Sequence, residues 1–197
     1  MANNKIQFGL KNVHYAKITG YDSNGKPTYA TPVPIPGAVN ISMEAQGDSS
    51  KFYADNRAYY TQVTNDGYEG DLEVALIPNS MLVDIYGFDL DATTKVITEK
   101  NDAIDSEFAL LFQFEGDKKN TLHCLYNCKS TRPQIAGATT TESTEPQTQT
   151  VTITASPLAD GVVRRKTTED TPDAVKNAWF TAVYVPETEV VSNQNPQ

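Results

Sequence analysis

The chain is poor in the residues on which several protein classes depend. Its 197 residues include two cysteines, two histidines and one tryptophan. Two cysteines cannot build the disulfide network that holds small secreted domains together, and this pattern favours a reducing compartment. No apolar stretch approaches the roughly 18 residues that cross a bilayer, and the N-terminal segment lacks the apolar run of a signal peptide. The sequence therefore predicts a protein made in the cytoplasm and independent of a membrane.

Positive charge is also scarce. Sixteen Lys and Arg face 25 Asp and Glu, which gives a formal net charge of -9 at pH 7. Binding of nucleic acid through overall charge is excluded, because that binding needs a basic surface. The single basic cluster, residues 164–166, is expected to be an exposed strand end.

Short motifs of catalysis and metal binding are missing as well. No phosphate-binding glycine loop, nucleophile elbow or HExxH zinc motif occurs. His123 and Cys124 lie near Cys128, but the run 121–128 alternates as a strand, which puts the cysteines on one face and His123 on the other. The two sulfurs would lie on the order of 13 Å apart, too far for a disulfide or a shared zinc. We expect buried or partly buried free cysteines, and no catalytic site, metal site or cofactor.

What the sequence does contain is the two-residue alternation of half-buried strands. It runs through 39–45, 72–76 and 151–155, whereas 108–114 is apolar on both faces and is expected to be central in the core. Aromatic and β-branched residues at 179–185 predict a closing C-terminal strand. The apolar stripes of the first two runs are Val39, Ile41, Met43, Ala45, Leu72, Val74 and Leu76.

Turn and helix signals separate these runs. The Asn-Gly pair at 24–25 predicts a hairpin turn. Residues 79–86 form one short amphipathic helix that Gly87 ends, and 174–178 form a second after a proline. The sequence thus predicts one mainly β domain over 1–197: an antiparallel sandwich or barrel-like fold with one or two short flanking helices.

Three polar stretches lie outside this pattern. Residues 137–149 are expected to be a solvated loop, and 186–197 a flexible C-terminal tail. Residues 48–70 interleave tyrosines with charged side chains, and so long a connection is usually functional or disordered. Four tyrosines argue against disorder.

Two interpretations of 48–70 remain open: a surface hairpin folded back on its own domain, or a protruding arm that gains a core only by packing on another subunit. Aromatic and Arg side chains dominate the energetics of interfaces. The candidate interface residues of such an assembly arm are Lys51, Phe52, Tyr53, Asp55, Asn56, Arg57, Tyr59 and Tyr60.

Several short sequence segments follow one another in a characteristic order along most of the chain. These segments lie at 9–15, 52–57, 78–87, 108–114, 132–133, 145–148, 151–155 and 179–180. In that order the sequence resembles the major tail protein, or tail tube protein, family of long-tailed bacteriophages of Gram-positive bacteria.

The resemblance implies a structural virion protein and no enzyme. Subunits of that family form hexameric rings that stack into the hollow tail tube through which DNA is ejected. The implied partners are further copies of the chain, tail tip or baseplate proteins, the tail terminator and the tape measure protein in the lumen. DNA passes without specific binding, and an acidic lumen would repel its phosphates. The resemblance implies localisation in the virion tail after assembly in the host cytoplasm, and a contact between adjacent rings through 48–70.

Other classes stay open. The chain could be a β-sandwich binding or adhesion module that does not assemble, with 137–149 as its binding loop. It could be an enzyme that uses carboxylates, since their spacing is spatial and not sequential. The tube of a contractile tail or tail-derived device would share every feature described above.

Overall fold

The computed structural model describes residues 8–115, 121–137, 139 and 147–186. The predicted tail from 187 onward and most of the polar loop at 137–149 lie outside these residues. The two helices are α1 (Asn79–Asp84) and α2 (Asp173–Ala178). In chain order the strands are β1 (Leu10–Tyr21), β2 (Pro27–Tyr29), β3 (Val33–Pro34), β4 (Ala38–Gln46), β5 (Ser49–Ala54), β6 (Arg57–Val63), β7 (Gly67–Val74), β8 (Asp89–Leu90), β9 (Ile97–Thr98), β10 (Phe108–Phe114), β11 (Leu122–Ser130), β12 (Gln149–Ser156) and β13 (Arg164–Lys166).

The fold is mainly antiparallel β with two short helices, as the sequence predicts. In the described part of the chain, nine strands form one sheet with the order β2-β1-β10-β11-β12-β7-β4, to which β13 adds on β11 and β3 on β1. β1 and β4 lie far apart in this order and nevertheless contact each other. The sheet therefore curls around its core. The hairpins β5–β6 and β8–β9 are separate two-stranded sheets.

Strand β10 is the centre of the core, as predicted. Its side chains are buried on both faces, and each face belongs to a different apolar cluster. On one face Phe108, Leu110 and Phe112 pack with Leu72 of β7 and Met81 of α1. The other face, with Ala109 and Leu111, joins a smaller cluster that includes Trp179. Each helix thus covers one face of the sheet.

Two of the predicted stripes end earlier than expected. Val39 is exposed because it is the extra residue of a β-bulge: Ala38 and Asn40 pair with the adjacent residues Val74 and Glu73. Leu76 is exposed because β7 ends at Val74. Ala45, at the far end of β4, is exposed as well.

The prediction that both cysteines lie on one strand face is wrong, because β11 contains a second bulge. Leu110 pairs with Leu125 and Phe108 with Cys128, so three steps along β11 match two along β10. The extra residue inverts the alternation, and Cys124 and Cys128 therefore lie in opposite clusters and not on one face. Both thiols are free and buried, as predicted, and burial raises the pKa of Cys128 to about 12.

The predicted C-terminal strand at 179–185 is wrong. Trp179 ends α2, and its indole N–H donates a hydrogen bond to the backbone carbonyl of His123 at 3.3 Å. The Tyr184 ring stacks on the same indole, with ring centroids 5.8 Å apart. The aromatic residues that suggested a strand instead pack in and against the smaller cluster, directly after a helix that begins behind a proline.

The Asn-Gly turn and the glycine after the first helix are confirmed, although α1 ends at Asp84, two residues earlier than predicted. The Asp22 carboxylate accepts hydrogen bonds from the amides of Asn24 and Lys26, both at 2.8 Å, and Gly25 has φ of 75°. Gly87, with φ of 67°, follows α1 as expected.

Candidate assembly surface

Of the predicted segment 48–70, residues 48–66 form a hairpin that continues β4 and β7 beyond the core, whereas 67–70 belong to β7 and Tyr68 packs against the core. The amide of Asp66 donates to the carbonyl of Gln46, and that of Thr64 to the carbonyl of Asp48, both at 2.9 Å. Six residues of β5 at about 3.3 Å each extend the ladder by roughly 20 Å. Every described side chain of β5 and β6 is exposed, so this hairpin, the arm, does not fold back on its own domain.

The tip of the arm is a two-residue turn. Asp55 and Asn56 have φ of 52° and 58°, the pair of positive values that suits the right-handed twist of the flanking strands. Asp and Asn adopt this conformation more readily than other residues with a Cβ. The turn therefore accounts for both residue types, which the sequence also marked as candidate interface residues.

Aromatic side chains occupy both faces of the arm. Phe52 lies directly opposite Tyr60, and Tyr53 opposite Ala58. The register shift between these pairs leaves Tyr59 as the extra residue of a bulge. These four rings are each 60–68% exposed. Apolar surface concentrated in this way on a monomer marks an interaction site.

The remaining candidate residues frame these rings. Lys51 lies opposite Thr61 one step nearer the core, and Arg57 follows the turn opposite Ala54. Within residues 49–63 the arm carries two basic side chains and one acidic one, and Asp48 and Asp66 lie at its base. Val63, which the sequence analysis did not single out, adds an exposed apolar side chain near the base.

The base of the arm tolerates no added side chain. Gly67 has φ of 111°, a region that favours glycine, and a Cβ there would overlap the carbonyl oxygen of Ala155. A Cβ on Gly70 would overlap the carbonyl oxygen of Ser42 on β4. Backbones thus approach closely at the point where the arm leaves the sheet.

The sheet that carries the arm presents an acidic outer face. Outward positions of β7 are Glu69, Asp71 and Glu73, and Glu44 of β4 lies opposite Glu69. On β12, the residues opposite these acidic side chains are threonines, and the Thr152 hydroxyl donates a hydrogen bond to the Asp71 carboxylate at 2.8 Å. We call this surface the acidic face. Along β4, β7 and β12 its outward positions hold no Lys or Arg.

Strand β4 is also an edge. Its nine residues include no proline, and within the described strands it pairs with β7 alone. The other edge, β2, is three residues long and begins with Pro27. Long unpaired edges are open to pairing with another chain.

The basic cluster 164–166 forms β13 and not a part of the acidic face. Arg164 lies over the ring of Tyr68 and Arg165 over that of Tyr126, each 5.2 Å from the ring centroid. These are cation–π geometries: the Tyr126 contact lies along the pairing of β13 with β11, and the Tyr68 contact joins β13 to β7.

Neither a membrane helix nor a metal cluster is evident in the described residues. No helix there is long and apolar enough to cross a membrane. No group of three or more His, Cys, Asp or Glu side chains in the same residues is placed to hold a metal ion.

Comparisons with known proteins give likenesses of fold. No family model and no curated protein matches the sequence. Among solved structures, the chain is similar to the sheath/tube terminator of an extracellular contractile injection system, PVC, in its extended state. The identity is 8% and the TM-score 0.46, over 78% of this chain and 93% of that one.

Two structures of the anti-feeding prophage are similar as well. Its tube-terminating cap is 10% identical with a TM-score of 0.44, over 85% of this chain and 96% of the other. A chain of its baseplate is 10% identical with a TM-score of 0.47, over 86% and 99% of the two chains. Likeness of this degree assigns no function to the present chain.

Proposed function

We propose that this chain is a one-domain structural subunit of a phage-type tail tube, in which copies close into hexameric rings and the rings stack. The arm is the observation that carries the proposal. Its four exposed aromatic rings stand on a two-stranded hairpin outside the core. A hairpin of two strands is at best marginally stable by itself. Burial of these rings against another copy would stabilise it and contribute the main part of the interface energy.

The edge of β4 supports closure into a ring. Sheet-edge pairing with the neighbouring copy supplies a second ladder partner to β4, which among the described strands pairs with β7 alone. Because β4 would meet a different surface on the next copy, the contact is heterologous, and such contacts form rings when their rotation closes.

The acidic face supports the role of a conduit. Glu44, Glu69, Asp71 and Glu73 lie together on one side of the sheet, and threonine hydroxyls border them. Turned toward a lumen, these carboxylates repel the phosphates of passing DNA and leave it nothing to bind. We propose this face for the lumen, the tape measure protein as its occupant before ejection, and tail tip and terminator proteins at the ends of the tube in the virion.

Electron microscopy of the purified protein tests the proposal. The sharpest variant replaces Ser49–Val63 with an Asn-Gly turn, because Asp48 and Thr64 already pair across the base of the arm. The wild type is expected to form rings or tubes, and the armless variant a folded subunit that forms no tubes. Phe8→Ser, which removes an exposed aromatic ring outside the arm, is the matched control and retains assembly.

Two results would overturn this function. Normal tubes from the armless variant would remove the arm from assembly. A wild-type protein that stays monomeric at every concentration and with tail tip components present would favour a binding module instead.

A further inference from the structure

The core side of the sheet opens at the end where β4 and β10 finish. A cavity of about 300 Å³ lies there, between β4 and β7 on one side and β10, β11 and β13 on the other. Apart from His123 and Arg164, its lining is apolar or aromatic. Six such side chains form its walls: Ile41, Met43, Tyr68, Phe112, Phe114 and Leu125. We call this cavity the mouth pocket.

The walls of the mouth pocket are only partly covered in a single subunit. Phe112 and Leu125 are buried and form its floor. The other four apolar side chains pack against the larger core cluster and remain half-buried: Ile41, Met43, Tyr68 and Phe114. The lone subunit thus leaves apolar surface in water, and an apolar group from another molecule would cover it.

The rim of the mouth pocket is basic. Across the pairing of β13 with β11, Arg164 lies opposite Leu125 and Lys166 opposite His123. Since opposite residues project to the same face of a sheet, both cationic side chains lie on the side of the pocket. Among the described residues, no carboxylate forms an ion pair with Arg164, which lies over the Tyr68 ring of the wall. The pocket therefore suits an apolar group that has negative charge beside it.

A loop before β10 presents a group of this chemistry. Ile104 is 83% exposed, and Asp102 and Asp105, both exposed, flank it. An aliphatic side chain between two carboxylates matches apolar walls with a basic rim in both polarity and sign of charge. We call residues 102–105 the acidic-aliphatic loop.

Backbone hydrogen bonds hold this loop in place. The carbonyl of Ala103 accepts a hydrogen bond from the Arg132 guanidinium at 3.5 Å, and the amide of Ser106 donates to the carbonyl of Ile85 at 2.7 Å. A loop that is already ordered loses little conformational freedom when it binds.

The same contacts locate the loop far from the pocket of its own subunit. Arg132 lies two residues beyond the end of β11, whereas His123 and Leu125 place the mouth pocket at the start of that strand. Nine residues of β11 at about 3.3 Å each separate the two by on the order of 25 Å. The loop that enters a given pocket therefore comes from another copy.

We infer that the mouth pocket binds the acidic-aliphatic loop of a second copy of this chain. Ile104 enters between the aromatic walls, and the flanking carboxylates lie beside Arg164. Pocket and loop are different surfaces at different ends of one sheet, so the contact is heterologous. The inference names a contact that makes no use of the arm, and it rests on the proposed function for its place in a tube.

A fluorescently labelled peptide of residues 99–107 tests the site. The receiver is the full chain with Ile104→Ser, whose own loop cannot fill the pocket of a neighbour. Fluorescence anisotropy is expected to show saturable binding of the wild-type peptide. A peptide with Ile104→Ser is expected to bind about tenfold more weakly or worse, because burial of the aliphatic side chain drives the contact. Equal binding of the two peptides would overturn the inference.

Receiver variants identify the pocket. Adding Arg164→Gln is expected to weaken binding of the wild-type peptide about tenfold, since it removes a charge-assisted contact. The matched control is Lys51→Gln, which removes an exposed positive charge outside the pocket and is expected to leave binding unchanged. Circular dichroism verifies that each receiver is folded. Equal loss in both receivers would reduce the contact to general charge attraction and overturn the inference. Binding of decanoate without binding of the peptide would overturn it as well, and would assign the pocket to a free apolar carboxylate.

Experiments on full chains separate this inference from the proposed function. Met43→Cys on the pocket wall and Ile104→Cys on the loop are expected to form a disulfide-linked dimer of one copy each under mild oxidation, because both native thiols are buried. The control acceptor Asp170→Cys, exposed before α2, is expected to give no such dimer with Ile104→Cys. A wild type that forms tubes while the peptide fails to bind would overturn this inference alone. Peptide binding by a wild type that forms no rings would support the inference and refute the proposed function.

Discussion

Replacing both rings of the Phe52–Tyr60 pair by serine should raise the protein concentration needed for assembly by several orders of magnitude and leave the fold of the subunit intact. The two side chains face each other across the arm and are 62% and 60% exposed. Aromatic side chains bury about 200 Å² when fully enclosed, so roughly 120 Å² of each remains available to a partner. At about 25 cal/mol per Å² this amounts to about 3 kcal/mol per ring and about 6 kcal/mol for the pair.

That figure is an upper bound, because association also orders the arm and desolvates the tyrosine hydroxyl. Truncation of single anchor residues at interfaces typically costs 2 kcal/mol or more. We therefore expect a rise of about 10²- to 10⁴-fold in the concentration needed for assembly, since each 1.4 kcal/mol is a factor of ten. The subunit itself loses little, because the pair makes no contribution to either core cluster.

The assay combines sedimentation of assembled material over a range of concentrations with thermal unfolding followed by circular dichroism. The matched control is Ser50→Ala with Gln62→Ala, the next opposed pair on the same face of the hairpin, which is expected to assemble normally. A large drop in the melting temperature of the serine variant would show that the rings support the subunit's own fold. Unchanged assembly would show that the arm is not the contact.

Three further predictions follow from the fold. Leu111→Ala should cost about 2–5 kcal/mol in the free energy of unfolding by denaturant, whereas exposed Leu76→Ala should cost less than about 1 kcal/mol. Gly70→Ala should destabilise by about 1–3 kcal/mol or more, because its Cβ overlaps the β4 backbone, while Gly137→Ala, with open space around it, should be nearly neutral. The pKa of the Glu107 carboxyl is lowered by hydrogen bonds from a tyrosine and a lysine. The ionised carboxylate therefore stabilises the fold above the ordinary carboxyl pKa, and this contribution is lost as the pH falls through the lowered pKa. In Glu107→Gln, the free energy of unfolding should depend less on pH in the acid range.

Much of the fold could be predicted from the sequence because its signals are local. Alternation located β12 and most of β7, and apolar residues on both faces identified β10 as central. Asn24-Gly25 and Gly87 marked chain reversals through their backbone preferences. The arm was visible as a segment without a stripe, and its eight candidate residues all lie on one hairpin. Their role in assembly remains a prediction.

Two of the errors arose where distant strands decide the outcome. Val39 follows the alternation of its own strand, yet a bulge against β7 turns it outward. The two cysteines have the spacing of one strand face, yet a bulge against β10 separates them. No pattern within either strand indicates the extra residue, because a bulge is a property of two paired strands.

The sequence by itself determined that this protein is a mainly antiparallel β domain with an acidic charge excess and an aromatic-rich segment outside its core. Those properties depend on composition and on neighbours along the chain. Only the tertiary structure decided that the acidic residues of β4 and β7 share one face and that β4 is an edge. Strand register creates these surfaces, and residue order alone does not encode that register in a readable pattern.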